Sequence, residues 1–437
     1  MMRICASLGG IRDADDLSDA DMAEIRTDIL DSVPDIDGKE LLVTFRDGID
    51  LSFLPDGYEG MLDIGISERP DTGSTIISSY HDYASTPSWD AIVSQLDVLP
   101  GDIVKGAYSV HDFTDLNSIF RASRELGRRH VLLGMGEAGT VTRIRSSLLG
   151  NEFTFGYVST PTAPGQMSVS EMRRLGDDCL VTGIVGRPLD KSASPVMHAA
   201  AMGAAGIDGA YLRFDVPRLD GIDDALRDYR IRGINVTIPY KTSILPYLDR
   251  LDPLAASIGA VNTVVNEGGR LVGHNTDVEG VRIAMEHAGI CVRDRRALVM
   301  GTGGAARACI GFLTGEGCDV TVTGRNAGKA AVLAGELGCS HRNKDSAAVA
   351  MYDIIVNCTP VGMYGEGEYP VSIDRINRDH SVFDMVYGKD TDLILAARAA
   401  GARTATGADM LAGQGSASFK LWTGVPDMFE TMRKAIT

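Results

Sequence analysis

The sequence predicts an α/β protein in two parts: an N-terminal (β/α)8 barrel with a trimmed helical ring, then a two-lobed unit ending in a nucleotide-binding parallel sheet. Three observations predict it. Residues 1–170 hold eight short apolar runs, at 3–8, 23–27, 40–46, 60–66, 74–80, 102–107, 130–135 and 153–158. Helical patterns separate several of them, at 16–32, 87–98, 112–128 and 140–149, as a barrel of parallel strands requires. Residues 180–280 alternate strand and helix, and a strand, a glycine turn and a helix begin a new unit near 295.

The elements follow in order. In the barrel, 47–59 and 67–73 are too short for helical crossovers, which need a dozen or more residues, so part of the outer ring is expected to be missing. Residues 168–178 read as a terminal helix running into a short link. Strands then fall at 180–185, 209–214 and 233–238, with a helix over 194–205. Further strands at 297–300, 320–325, 353–357 and 381–385 form the last sheet, and helices from about 409 are expected to pack back on the 180–280 unit. The expected domains are 1–172, 178–285 completed by 409–437, and 286–408. A chain of 437 residues is too long for one ordinary core, which agrees.

A net charge of −17 argues against nucleic acid as a partner, because phosphate binding needs a basic surface. Small anions remain open to it through local arginines and lysines. The sequence holds no run near the eighteen apolar residues of a membrane span, and 3–9 reads as a buried strand meeting a glycine turn rather than a signal segment. No membrane partner and a cytoplasmic location are expected, with a homodimer left open. The seven cysteines are scattered without metal-ligand spacing and read mostly as core thiols; no metal site is expected.

Lys105 ends an apolar strand. On a barrel its amine points into the catalytic mouth, where a neutral amine can add to a ketone and form an imine, an electron sink for removal of a neighbouring proton. His81 follows the strand 75–80 and can serve as general base. With Cys5-Ala6-Ser7-Leu8, Glu24-Ile25-Arg26-Thr27-Asp28, Thr44-Phe45-Arg46, Ser79-Tyr80-His81-Asp82-Tyr83 and Ala163-Pro164-Gly165-Gln166, residues 1–170 closely resemble the type I 3-dehydroquinate dehydratases. The resemblance implies Lys105 as the Schiff-base lysine and His81 as its proton-transfer partner. It implies Arg143 and Gln166 at the substrate carboxylate, with Thr162 where the family typically has serine. Ser7, Glu24, Arg26 and Arg46 are implied around the ring hydroxyls. The family's further acid four residues after Arg46 falls on Asp50 here, one methylene shorter than glutamate.

In the second half, Gly301-Thr302-Gly303-Gly304-Ala305 follows a strand and opens a helix, the backbone arrangement of a Rossmann-type pyrophosphate site. The next strand ends in Gly324-Arg325-Asn326, with Lys329 after it, where an NAD enzyme usually carries an acid. An arginine there suits a 2′-phosphate, so NADP is the expected cofactor. Lys241 and Asp277 could pair as a proton donor to a carbonyl oxygen. With Lys191-Ser192-Ala193-Ser194-Pro195, the stretch 235–241, Gly259-Ala260-Val261-Asn262-Thr263 and 357–363, residues 180–437 resemble the shikimate dehydrogenases. That resemblance implies Lys241 and Asp277 as the catalytic pair and Ser192 and Ser194 at the carboxylate. It implies Asn235, Thr237, Asn262, Tyr387 and Gln414 around the ring, and Gly301 through Ala305, Arg325, Thr359, Met385 and Gly407 at the dinucleotide. Val278, where glycine is common, and Gly388-Lys389, where proline is frequent, depart from the family pattern; His198 and His274 read as structural.

The expectation is therefore a bifunctional enzyme of the shikimate pathway: dehydration of 3-dehydroquinate to 3-dehydroshikimate, then reduction with NADPH to shikimate. Two alternatives are an oxidative quinate/shikimate dehydrogenase and a non-catalytic metabolite sensor built from the same domains. Retention of all four central residues counts against the sensor.

Overall fold

The computed structural model describes residues 2–46, 48–344, 347–363 and 367–437. The chain divides into two compact units, 1–189 with 208–232, and 190–207 with 233–437.

The first unit is built on eight parallel strands: β1 (Ile4–Ser7), β2 (Met22–Arg26), β3 (Glu40–Thr44), β4 (Met61–Asp63), β5 (Thr75–Asp82), β6 (Ile103–Ser109), β7 (His130–Met135) and β8 (Thr154–Tyr157). Each pairs with its neighbour in sequence from β1 to β7, and β8 returns to pair with β1. Between β7 and β8 the Glu152 N–H donates to the His130 carbonyl, and the Asn151 amide exchanges hydrogen bonds with both backbone groups of Leu132. The result is a nearly closed barrel.

Alternation along the strands stacks inward side chains in layers, two residues apart. One layer is apolar: Cys5, Met22, Leu42, Met61, Ile77, Ile103, Val131 and Phe153 form a single buried cluster. Two residues further along each strand stand Ser7, Glu24, Thr44, Asp63, Ser79, Lys105, Leu133 and Phe155, all buried. The parallel register aligns them, with Ser7 opposite Glu24, Thr44 opposite Asp63 and Ser79 opposite Lys105. A hydrocarbon floor thus carries a polar layer at the C-terminal end of the strands.

The helical ring is trimmed further than the sequence suggests. Among the described residues α-helices follow only the later strands: α1 (Trp89–Asp97), α2 (Phe113–Glu125), α3 (Thr140–Ile144) and α4 (Val169–Leu175). The expected helix over 16–32 does not form. The strand run expected at 23–27 within that stretch forms β2, whose first four residues are buried inside the barrel. The helical pattern of 140–149 splits into α3 and a 3-10 turn over 146–149. The unit is completed by the parallel pair β9 (Leu180–Gly186) and β10 (Gly209–Asp215). Helix α5 (Ser194–Ala205) belongs to the second unit, and α6 (Ile222–Asp228) to the first.

In the second unit, β11 (Gly233–Val236), β13 (Thr263–Glu267) and β14 (Arg270–His274) pair antiparallel in that order, with the short β12 (Arg250–Leu251) parallel to β14. Helices α7 (Pro253–Ile258) and α8 (Asp277–His287) flank them in sequence. The remaining strands are β15 (Arg296–Met300), β16 (Asp319–Thr323), β17 (Ser340–His341), β18 (Ile354–Asn357), β19 (Ser381–Asp384) and β20 (Arg403–Thr406). They are all parallel and ordered β17-β16-β15-β18-β19-β20. The order reverses beside β15, the switch point of a doubly wound dinucleotide fold. Residues of α8, α9 (Gly304–Gly315) and α10 (Ala327–Leu337) share one core with this sheet, and those of α11 (Asp392–Ala399) share another. As expected, the last helices, α12 (Gly407–Thr423) and α13 (Phe429–Ile436), pack back on α5, and the Trp422 indole donates to the Val264 carbonyl of β13.

No helix among the described residues is long and apolar enough to cross a membrane. The cysteines are free; Cys5, Cys179, Cys309 and Cys318 are buried and Cys291 is exposed.

Candidate active sites

The polar layer of the barrel is one hydrogen-bonded set. Lys105 Nζ lies 2.7 Å from Asp63 Oδ2 and 4.5 Å from the centre of the Phe155 ring. The other oxygen of Asp63 accepts from Ser79 Oγ at 2.6 Å and the Gly65 N–H at 3.1 Å. Burial by itself raises a carboxyl pKa, but the charge and hydrogen bond of Lys105, with those of Ser79 and Gly65, hold Asp63 below its ordinary value. Glu24 accepts from Ser7 Oγ and from Thr44 Oγ1, and Gln166 Nε2 reaches Ser7 at 3.5 Å.

His81 stands one layer above Ser79, with Arg46 Nη1 3.4 Å from its Nε2. Desolvation, then the positive charges of Lys105 and Arg46, push its pKa down to about 3. The imidazole is therefore neutral at physiological pH. Arg143, on α3, is 2% exposed. Its Nε donates to the Gly165 carbonyl at 3.1 Å, while its Nη1 is buried without a hydrogen-bond partner among the described residues. Desolvation lowers its pKa to about 10, with the Glu24 charge opposing. A buried guanidinium holding an unused donor is a site prepared for an anion such as a carboxylate. Gln166 Oε1 meanwhile accepts from the Thr162 N–H, the Thr162 hydroxyl and the Ala163 N–H, which fixes the amide.

Two residues sit apart from this set. Arg26 is engaged by Asp28 and by the Thr162 carbonyl, at the rim. Asp50 caps the 3-10 turn 51–53 through Ser52 and does not join the cluster. The acid beside the lysine is Asp63, which the motif reading missed. Its signal was present: it is the one charged residue inside the apolar run 60–66, two residues beyond the floor position Met61.

In the second unit Lys241 Nζ forms an ion pair with Asp277 Oδ2. Asp277 opens α8, where the helix N-terminus favours a carboxylate, and it is 3% exposed. Its second oxygen accepts from Asn262 Nδ2 at 2.8 Å, and the same amide reaches Gln414 Oε1 at 3.3 Å. Asn262 Oδ1 accepts the Thr276 N–H at 2.7 Å, so the amide is held at both ends. Asn235 donates to Thr263 Oγ1 and Ser418 Oγ, and Thr263, Thr276 and Ser418 exchange hydrogen bonds of 2.8–3.0 Å. Ser418 carries no motif, and only the packing of α12 brings it here. Ser192 Oγ accepts the Ser194 N–H at 3.4 Å at the start of α5. Thr237 and Tyr387 are half-buried. Of the two histidines read as structural, His274 pairs with Asp252 and His198 lies in the core against Phe419 and Trp422.

The glycine turn fits a dinucleotide. Gly301 has φ +126°, a conformation that side chains disfavour. A Cβ on Gly304 would stand 2.9 Å from Lys241 Cδ, so the turn lies against the lysine of the ion pair. The β15–β16 register sets Met300 beside Thr323 and brings exposed Arg325 and Lys329 to the same end of the sheet. Thr359 Oγ1 and N–H both donate to Asn357 Oδ1, whose amide donates to Asp384; the Gly407 backbone packs on the Met385 carbonyl. The buried Asn357–Asp384 bridge, which ties the ends of β18 and β19, was also not read from sequence.

Comparison with known proteins agrees with both halves. The family model described as type I 3-dehydroquinase matches residues 62–176, and that of the shikimate dehydrogenase substrate binding domain matches 184–264. A shikimate dehydrogenase (NADP(+)) of Halothermothrix orenii is 39% identical over 278 residues, covering 59% of this chain and 96% of the relative. The chloroplastic bifunctional 3-dehydroquinate dehydratase/shikimate dehydrogenase of Arabidopsis thaliana is 32% identical over 390 residues, 82% of this chain and 64% of that protein. The crystal structure of Thermus thermophilus shikimate 5-dehydrogenase in complex with NADP(H) and shikimate is 37% identical with a TM-score of 0.54, covering 59% of this chain and 99% of that one. The chain therefore belongs to the shikimate dehydrogenase family and joins it to a type I 3-dehydroquinase barrel, the combination of a bifunctional 3-dehydroquinate dehydratase/shikimate dehydrogenase.

Proposed function

We infer that each of the two activities is carried by one lysine–aspartate pair. The chain is an enzyme of the shikimate pathway that dehydrates 3-dehydroquinate and reduces the product, 3-dehydroshikimate, to shikimate. In the barrel, Lys105 gives up two protons as its nitrogen adds to the ring ketone, and both leave with the ketone oxygen as water, so the ammonium charge passes to a protonated imine. Asp63, 2.7 Å from the nitrogen, is the counter-charge to that cation. The imine draws electrons from the adjacent carbon, neutral His81 removes the proton there, and it returns that proton to the departing hydroxyl. Hydrolysis frees Lys105 and the ketone product. Arg143 and Gln166 hold the substrate carboxylate, and Ser7, Glu24 and Arg46 order the ring.

In the second half, bound NADPH supplies the hydride. Lys241 delivers the proton to the ketone oxygen, and Asp277, fixed by Asn262, holds the amine. Ser192 and Ser194 take the carboxylate, and Arg325 with Lys329 takes the 2′-phosphate. The catalytic modules correspond to 1–172, to 178–285 with 409–437, and to 286–408. The reaction needs only small-molecule partners, and we place it in the cytoplasm.

The observation that carries this reading is the Lys105–Asp63 pair beside a neutral His81 and a partnerless Arg143 donor. Borohydride with dehydroquinate tests it: the substrate mass should appear on Lys105, and its absence would exclude the imine. Lys241→Ala should abolish NADPH oxidation with dehydroshikimate and leave dehydration intact.

A further inference from the structure

Arg145 lies two residues beyond Arg143, about 200° round a helical segment at 3.6 residues per turn. Arg143 turns toward the barrel mouth, and Arg145 turns the other way. Arg145 is 6% exposed, and its hydrogen bonds among the described residues include no carboxylate. Its guanidinium is spent on backbone carbonyls: Nε on Tyr229 at 3.1 Å, Nη1 on Asp177 at 2.7 Å, and Nη2 on Cys179 at 2.9 Å and Arg230 at 3.4 Å. Desolvation lowers its pKa, so the charge is tolerable only while those carbonyls surround it. Three of these acceptors lie in or beside elements of the reductase half, 84 to 85 residues away for Tyr229 and Arg230.

The surrounding junction is a packed core. Phe113 of α2 meets Phe214 of β10 at 5.3 Å, and Phe120 meets Tyr229 edge-on at 5.3 Å. The Tyr229 hydroxyl donates to the Leu116 carbonyl at 2.8 Å, and Asn117 donates to the Gly221 carbonyl at 2.9 Å. Phe113 and Tyr229 are fully buried. The β9–β10–α6 segment is thus seated on the barrel helices, not suspended from a linker.

We propose that this reductase segment is a structural part of the dehydratase site, and that Arg145 is the positioning residue through which it holds Arg143 in place. The short α3 has little intrinsic stability at five residues, so its orientation depends on tertiary anchors. The Gly165 carbonyl fixes Arg143 on the mouth side; the four carbonyls on Arg145 fix the same segment from behind. The proposal rests on the reading of Arg143 as the carboxylate-binding residue.

The test uses the full chain. Arg145→Lys keeps the charge but cannot span four carbonyls, and Tyr229→Phe removes only one hydroxyl from the same junction. Arg145→Lys should raise the KM for dehydroquinate about tenfold, equivalent to about 1.4 kcal/mol, with kcat changed less than twofold. Tyr229→Phe should move KM the same way by less. Reductase kinetics with shikimate should be unchanged in both. Arg218→Ala, which removes an exposed partner of Asp112 at the edge of the junction, should leave KM alone. Arg143→Gln separates the two ideas. If it raises KM while Arg145→Lys and Tyr229→Phe do not, the anchoring proposal is wrong and the carboxylate reading stands. If Arg143→Gln leaves KM unchanged, that reading itself fails. An equal fall of both activities in Arg145→Lys would mark a general structural role and overturn the proposal.

Discussion

Replacing Asp63 by Asn tests the physical core of the dehydratase site. The amide can still accept from Ser79 and Gly65, so the change removes a charge and little volume. Asp63 is 0% exposed and Lys105 is 3% exposed, with 2.7 Å between their charged atoms. Losing one partner of such a pair costs roughly 3–5 kcal/mol, because the survivor is left unpaired in a low-dielectric interior. That is a large share of a domain stability on the order of 5–15 kcal/mol. Removing both charges, as Asp63→Asn with Lys105→Met, should restore most of the loss. A double-mutant cycle should therefore give a coupling of about 2 kcal/mol or more. Urea unfolding followed by Trp89 fluorescence, in a Trp422→Phe background, reports on the first unit alone, since the chain has two tryptophans. Catalysis gives the second readout: without a counter-charge for the protonated imine, dehydration kcat should fall roughly 10²–10³-fold. Reductase kcat should not move. A coupling below about 0.5 kcal/mol with unchanged dehydration would refute the reasoning, since the pair would then behave like a screened surface contact.

Three further outcomes are expected. His81 is held neutral, with a folded pKa of about 3 against 6.5 in the unfolded chain, so the folded state binds fewer protons between those values. Its contribution to stability is complete above pH 6.5 and is lost as pH falls toward 3; the acid limb of dehydratase kcat/KM should accordingly lie below pH 5, and a limb centred near 6.5 would contradict this environment. Gly304→Ala would set a Cβ 2.9 Å from Lys241 Cδ and should lower reductase kcat/KM for NADPH roughly tenfold or more without touching dehydration, as coupled and uncoupled assays would record. Arg325→Ser should weaken NADPH roughly 10–100-fold, the worth of one charge-assisted contact, with NADH kinetics nearly constant; an equal loss for both dinucleotides would remove Arg325 from the 2′-phosphate.

Much of the fold was legible in the sequence because its signals are local. Strand runs and the glycine turn after β15 each depend on neighbours within a few residues. The second half was read most completely, since its lysine, aspartate and glycine turn stand in short, dense motifs. The failures have a common cause. Residues 16–32 show helical spacing around the strand run at 23–27, yet only the strand forms, because Met22–Ile25 is buried within the barrel. Asp50 has the sequence position of a site acid, yet its side chain turns to Ser52.

The sequence by itself determined which groups are present: an amine and an imidazole suited to imine chemistry, a lysine and an aspartate suited to carbonyl reduction, and an arginine where a ribose-binding acid is usual. Tertiary structure decided which groups meet. Only the barrel register sets Asp63 beside Lys105, across 42 residues, and only the folding of α12 brings Ser418 under Asn235, across 183. Hydrogen bonds and ion pairs act over a few ångströms in space, and distance along the chain says little about them until the strands have paired and stacked their side chains in layers.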